Sequence, residues 1–593
     1  MVRFWALDFC LPTLVCRPDE EAVAAVTTGF FARDLNPHFF DWPPLFMYLV
    51  TLALIPYAKY MKLTGVLRSE YRFLLSISAN PAPIVMAARA LSAVAGTATI
   101  ALLYAVADRI AGRTTALIAA LFLALSYLHA RDSHFGVTDV SATLLTLVVV
   151  WHAMRMTAAT PGQVAIAAVI TAAAAATKYN AGAAGLSAAW MIASAQTVAW
   201  PRRLLLLTLF GVMALGAFAV IHPYSLIESD AFLASMRGIS THLANGHGPD
   251  VGLGWWVHLS SSLRYGVGAP IVMLGIAGLA WTIYVTPRQG VCVALVPAIT
   301  YLAIGAGRTA FSRYAIPLVP FVCLGAAVAI VEVGRGLARL ASRPQLGPAL
   351  AWTCAMLAIV PSATSVWHFN RLLGKEDSRI AAARWIEARF PDGASIGETE
   401  HRFNRLSFHD GTAAVPSKYR TDVLTPDDAD PDVIVLADSP LHPGGFPPDV
   451  TNDRLSRYAE AFTSSAPERP GAVYDWQDEF YIPLAGINRL DRPGPRITVF
   501  IRKKATEARG PRGAELLLLE RGVRKEIGNG PLRIRTHAQV VDVVTNFRPP
   551  VRGAGGNDDD VADVDYFLHH VCAGDGAAAR GTVEHLGDLA VGR

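Results

Sequence analysis

The sequence predicts a polytopic α-helical membrane protein with a small α/β domain at its C-terminal end. Three observations predict it. Of 593 residues, 52% are hydrophobic and only 17% charged, where a soluble globular chain is nearer a quarter charged. From about residue 81 to 366 long apolar runs recur, broken by short loops rich in Arg, Gly and Pro. Runs of about twenty residues match the hydrocarbon thickness of a bilayer. After residue 366 the composition changes. The net charge of +4 does not point to nucleic acid, because the Arg residues stand singly at the ends of apolar runs, as topology determinants do. The six Cys show no CxxC and no zinc-like spacing, so they read as apolar residues of membrane helices.

Residues 1–82 read as an outward loop with interfacial helices. Met1–Leu14 is apolar but too short to span, and it lacks the basic n-region and cleavage site of a signal peptide. It resembles the last turns and exit of a span, so a first transmembrane helix is expected upstream. Residues 43–61 are apolar enough to cross. Pro43, Pro44 and Pro56 make them a poor straight span, and their Tyr residues and Lys59 suit a helix lying on the outer interface.

About ten spans follow in the domain 83–366: 83–107, 115–130, 137–156, 163–177, 181–199, 204–221, 267–286, 290–306, 314–333 and 348–366. Alternate loops hold Arg109 and Arg113, then Arg155, Arg202 and Arg203, Arg288, and finally Arg335, Arg339 and Arg343. The positive-inside rule makes these loops cytoplasmic. Loops 131–136, 178–180, 222–266 and 307–313, and everything after 366, then face outward. Counting 43–61 as a span would reverse them all.

Residues 367–505 read as a small extracytoplasmic α/β domain. An amphipathic helix is predicted over 376–390, with Asp377 or Ser378 as its cap. Strand-like runs follow at Ala394–Ile396, Val433–Ala437 and Ile497–Arg502. The tail, 506–593, has irregular patterning and an acidic run; it reads as disordered.

Three constellations of the outward loops carry chemistry. The first is Arg17-Pro18-Asp19-Glu20-Glu21. Neighbouring carboxylates at a low-dielectric surface suit proton abstraction from a hydroxyl or amine, with Asp19 as base and Glu20 beside it; the plainer reading is a helix start. The second runs from His129 to Asp139 and contains His134. Asp139 opens a span, where an ionisable group is a functional candidate. His134 and Asp139 are candidates for substrate or a divalent metal, two ligands being short of a site. The third is a set of cations at outward membrane ends, Lys178, Arg308 and Arg313, which suit a lipid phosphate. Carboxylates and cations around one outward cavity fit transfer of a group from an anionic lipid. A transporter or flippase is the alternative, but no repeated half is visible.

The order of these motifs resembles a known family. It runs from Pro18-Asp19-Glu20 to Trp42-Pro43-Pro44-Leu45 and Arg89-Ala90-Leu91-Ser92. Ser126-Tyr127-Leu128-His129-Ala130-Arg131-Asp132-Ser133-His134 and Asp139 follow, then Thr177-Lys178-Tyr179-Asn180. Arg313-Tyr314 with Pro317 and Pro320, and Asp377-Ser378-Arg379 with Trp385-Ile386, close the series. Over about residues 1–400 this resembles the bacterial GT-C glycosyltransferases related to protein O-mannosyltransferases and lipid A aminoarabinose transferases. The resemblance implies a polyprenyl-phosphate-linked sugar donor, an extracytoplasmic acceptor, Asp19 as catalytic base and a multi-pass place in the inner membrane. It also implies a first transmembrane helix before the Asp19 loop, and a divalent metal in some relatives only.

Overall fold

The structure, a computed structural model, describes residues 2–503 apart from 15, 68, 399–401, 407, 409–417, 425–428, 442–453 and 466–470. The expected tail, 506–593, lies outside the described residues. The chain divides into two compact units: the first holds Met1–Leu54, Ala82–Glu376 and Glu468–Gly494, and the second the remainder.

The helices are α1 (Glu20–Phe31), α2 (Leu45–Leu63), α3 (Glu70–Ala79), α4 (Ala82–Ala111), α5 (Arg113–Ala124) and α6 (Tyr127–Asp132). Next come α7 (Thr138–Arg155), α8 (Pro161–Thr177), α9 (Gly185–Ala193), α10 (Trp200–Ile221), α11 (Tyr224–Ile227) and α12 (Ser229–Asn245). They end with α13 (Gly254–Val257), α14 (Ala269–Val285), α15 (Pro287–Gly305), α16 (Val319–Leu340), α17 (Gly347–Leu373) and α18 (Ser378–Glu387). Six helical stretches, built on α4, α10, α14, α15, α16 and α17, are long and apolar enough to cross a membrane among the described residues. Helices α5 and α8 are apolar but shorter.

Not all of the expected spans are single helices; 314–333, for one, opens as the 3-10 turn Ser312–Leu318 before α16. Run 115–130 breaks after Ala124: Ser126 takes extended backbone and donates its hydroxyl to Gly266 O at 3.2 Å, and α6 starts afresh. Run 181–199 begins as a 3-10 turn, Tyr179–Ala184, before α9. The predicted helix over 43–61 is α2, with Pro56 inside it. Helices α14 and α16 meet at glycines. A Cβ on Gly278 would lie 1.8 Å from Gly325 O, and one on Gly325 would lie 2.1 Å from Gly275 O, so only glycine allows the backbones this close.

A hairpin-like segment, Gly471–Gly494, belongs to the same unit. Val473 pairs with Ala485 in an isolated antiparallel bridge. Its Phe480, Ile482 and Leu484 enter an apolar cluster with Phe9, Tyr127, Phe135 and Phe369.

The second unit carries a five-stranded sheet of order β2-β1-β3-β5-β4. The strands are β1 (Ser395–Glu398), β2 (Arg420–Val423), β3 (Val433–Asp438), β4 (Tyr458–Thr463) and β5 (Arg496–Arg502). β1 is parallel to β2 and β3, and β5 is antiparallel to β3 and β4. Helix α18 is capped by Asp377, which accepts from Arg379 N at 2.9 Å. Its Ala382, Ala383 and Ile386 form a core with Ile396, Val433, Val435, Ile497 and Val499.

Candidate active site

The expected carboxylates and cations are found in the first unit as ion pairs. Asp19 stands at the residue before α1 with φ 77°, in the left-handed region, and its side chain makes no capping bond. Non-glycine residues take that conformation with difficulty, Asp and Asn most readily. Its carboxylate faces Arg313 Nη1 at 2.6 Å. Arg313 lies in the 3-10 turn Ser312–Leu318, which leads into α16. Asp139, in the first turn of α7, pairs with Lys178 where α8 ends. Lys178 Nζ lies 5.3 Å from the ring centroid of Tyr314, the neighbour of Arg313, so the two pairs adjoin. Asp139 also acts electrostatically on Arg313.

Glu20 stands next to Asp19 in sequence but faces elsewhere. Its Oε1 accepts from Arg89 Nε at 2.8 Å and Gly136 N at 2.7 Å, and its Oε2 accepts from Arg89 Nη2 at 2.5 Å. Both side chains are 1% exposed, so this carboxylate is fully engaged. Arg89 further donates to Leu7 O and Phe9 O, both at 2.8 Å, and lies 3.7 Å over the Phe9 ring. One guanidinium thus ties the N-terminal loop, α1 and α4 together. Glu20, expected beside Asp19, is bonded by Arg89 instead of lying with Asp19 at Arg313.

Arg308 stands apart: it is exposed and pairs with exposed Asp250 at 2.9 Å. His134 is buried, with Nδ1 2.8 Å from Ala130 O and its ring 5.3 Å from that of Phe369. The structure does not bring it onto Asp139, and neither joins a group of three metal-ligating side chains among the described residues.

Sequence reading missed the acidic tip of the hairpin-like segment. Asp478 Oδ1 accepts from Arg17 Nη1 at 2.7 Å and lies 3.7 Å from Arg313 Nη1. Asp475 accepts from Ser312 N at 2.7 Å, and Gln477 Oε1 from Ala310 N at 2.6 Å. Gln477 Nε2 donates to Pro249 O and Arg308 O, both at 3.1 Å. Burial raises the Asp475 carboxyl to about 6, with help from the Asp478 charge. Burial raises Asp478 too, but the charges of Arg17 and Arg313 outweigh it and hold that carboxyl at about 2. The signal that marks this tip is the alternation of acids and aromatics in Tyr474-Asp475-Trp476-Gln477-Asp478-Glu479-Phe480-Tyr481.

Cys10 and Cys16 form a disulfide just before Arg17, with Cα atoms 6.1 Å apart. Reading all six Cys as membrane-helix residues is thereby corrected: this pair lies in a loop. Cys292 and Cys323 are buried in α15 and α16, as expected.

Residues 84–225, less than half of the chain, match the model of a family described as dolichyl-phosphate-mannose-protein mannosyltransferase. No curated protein matches. Among solved structures, ArnT from Cupriavidus metallidurans bound to undecaprenyl phosphate is similar at 16% identity. That likeness covers 84% of this chain and 96% of that one, with a TM-score of 0.45. The archaeal oligosaccharyltransferase AglB from Archaeoglobus fulgidus, in complex with an inhibitory peptide and a dolichol-phosphate, is 13% identical. It covers 64% of this chain and 55% of its own, with a TM-score of 0.39.

Proposed function

We propose that this membrane chain, whose residues 84–225 match the model of a family described as dolichyl-phosphate-mannose-protein mannosyltransferase, moves a sugar from a polyprenyl-phosphate donor to an extracytoplasmic acceptor. The observation that carries this reading is the adjoining of two carboxylate–cation pairs, Asp19–Arg313 and Asp139–Lys178, beside Tyr314. A lipid phosphate needs cations at the depth where its headgroup lies. A transferred sugar needs a base for the acceptor proton. Each pair supplies one of each.

The donor's polyprenyl tail lies in the bilayer and its phosphate is taken by Lys178 and Arg313. When the phosphate draws Arg313 off Asp19, the freed carboxylate faces the acceptor hydroxyl or amine. Asp19 removes the acceptor proton and the acceptor atom bonds to the anomeric carbon. The bond from that carbon to the phosphate oxygen breaks, leaving its electron pair on the phosphate, where both cations neutralise it. One displacement inverts the sugar. Glu20 anchors the loop and Arg308 takes no part. The Cys10–Cys16 disulfide supports an oxidising, extracytoplasmic side for the Asp19 loop.

The test is transfer of label from radiolabelled polyprenyl-phosphate sugars to a membrane extract by the purified chain in lipid, against Asp19→Asn. Asn tolerates the left-handed backbone at position 19, so the variant should fold and transfer nothing. Full transfer by Asp19→Asn removes the base. No transfer by a well-folded wild type from any donor reopens the transporter reading.

A further inference from the structure

The Gly471–Gly494 segment enters from a point in the sequence far beyond the helices, yet its tip bonds the strip that carries Arg313. Three alternate residues, through Arg308 O, Ala310 N and Ser312 N, are held by Gln477 and Asp475. Asp478 is 2% exposed and sits between two guanidinium groups, bonding Arg17 and lying 3.7 Å from Arg313. Its Oδ2 has no hydrogen-bond partner among the described residues. Apolar contacts lock the tip: Phe480 packs edge-on against Phe135 at 4.7 Å, and the Arg17 guanidinium lies 4.6 Å over Phe135. Tyr127 donates to Pro483 O at 2.9 Å.

We infer that Asp478 is a positioning residue that holds Arg313 when Arg313 leaves Asp19 for the donor phosphate. The inference rests on the function proposed above. Arg313 has two carboxylates within reach, one at 2.6 Å and one at 3.7 Å. As it turns from Asp19, the second keeps its charge at the site, with a further oxygen to receive it. Asp478 touches neither sugar nor phosphate; it acts through Arg313. Asp475 and Gln477 fix the backbone from which Arg313 springs.

Two measurements on the full chain in lipid nanodiscs test this. The first is a thermal double-mutant cycle of Asp478→Asn and Arg313→Gln, which needs no substrate. If Asp478 holds Arg313, the double variant loses no more Tm than the worse single one. The second is turnover of labelled polyprenyl-phosphate sugar. Asp478→Asn should lose about 10²-fold, as a misplaced catalytic group does, and Asp478→Glu should regain part of the loss. Additive Tm losses, or wild-type turnover by Asp478→Asn, overturn the assignment. If the wild type itself transfers no sugar, the proposed function falls and the cycle alone decides Asp478.

Discussion

Replacing Glu20 with Ala should destabilise the protein without acting as loss of a base. The change strips Arg89 of its two bonds to a carboxylate and Gly136 N of its acceptor, in a site 1% exposed. Breaking a buried ion pair from one side costs about 3–5 kcal/mol, because the remaining charge stays buried. Arg89 keeps Leu7 O, Phe9 O and the Phe9 ring, which places the expected cost at the lower end, about 3 kcal/mol. At roughly 2 °C per kcal/mol for a large chain, Tm should fall by about 6 °C. Glu20→Gln keeps an acceptor and should fall less. Glu20→Ala with Arg89→Met removes both charges and should recover more than half of the loss, since an apolar replacement of a buried pair is often neutral. The assay is thermal unfolding in nanodiscs followed by Trp fluorescence, beside the pH profile of transfer. A wild-type Tm for Glu20→Ala, or a Glu20→Gln enzyme that keeps its Tm but loses one limb of the pH profile, would refute the anchoring role.

Other outcomes follow from the same geometry. Under the proposed function, Lys178→Gln should weaken binding of a polyprenyl phosphate by about 10- to 100-fold, the worth of one charged hydrogen bond, measured by native mass spectrometry; unchanged binding removes Lys178 from the proposed phosphate site. Asp475 titrates at about 6 in the folded chain. The folded state therefore holds a proton that the unfolded chain releases at lower pH, and stability falls as pH rises through 6. Tm should climb on acidification from pH 7 to 5, and Asp475→Asn should flatten that climb. Reducing the Cys10–Cys16 disulfide should cost about 2 kcal/mol for so short a loop, and Cys10→Ser with Cys16→Ser should abolish the reductant's effect on Tm.

The apolar runs foretold the helices because hydropathy is a local property. The runs 83–107, 163–177, 204–221 and 348–366 fall within α4, α8, α10 and α17. The break at Ser126 was illegible, since the groups that bond Ser126 and Tyr127 N there, Gly266 O and Ser362, lie 140 and 235 residues away. Strands β1, β3 and β5 showed as β-rich runs, whereas β2, the edge strand Arg-Thr-Asp-Val, is polar and mostly exposed. The site divides the same way. Asp19, Asp139, Lys178 and Arg313 stood out as charges at membrane ends. That Glu20 would belong to Arg89, and Arg17 to Asp478 across 461 positions, depends on tertiary pairing that no spacing encodes.

The glycine contact between α14 and α16 reaches further than packing. Arg313 rides on the turn that opens into α16, and α16 is pressed backbone to backbone against α14 at Gly275, Gly278 and Gly325. The turn that carries Arg313 is therefore continuous with a helix whose distance from α14 the glycines set. Adding a single methyl at Gly278 would pry the helices apart deep inside the bundle, and the displacement would surface as a misaimed guanidinium. The transfer proposed above would then be lost through a residue outside the proposed site, while the apolar character of the membrane-facing surface stayed unchanged.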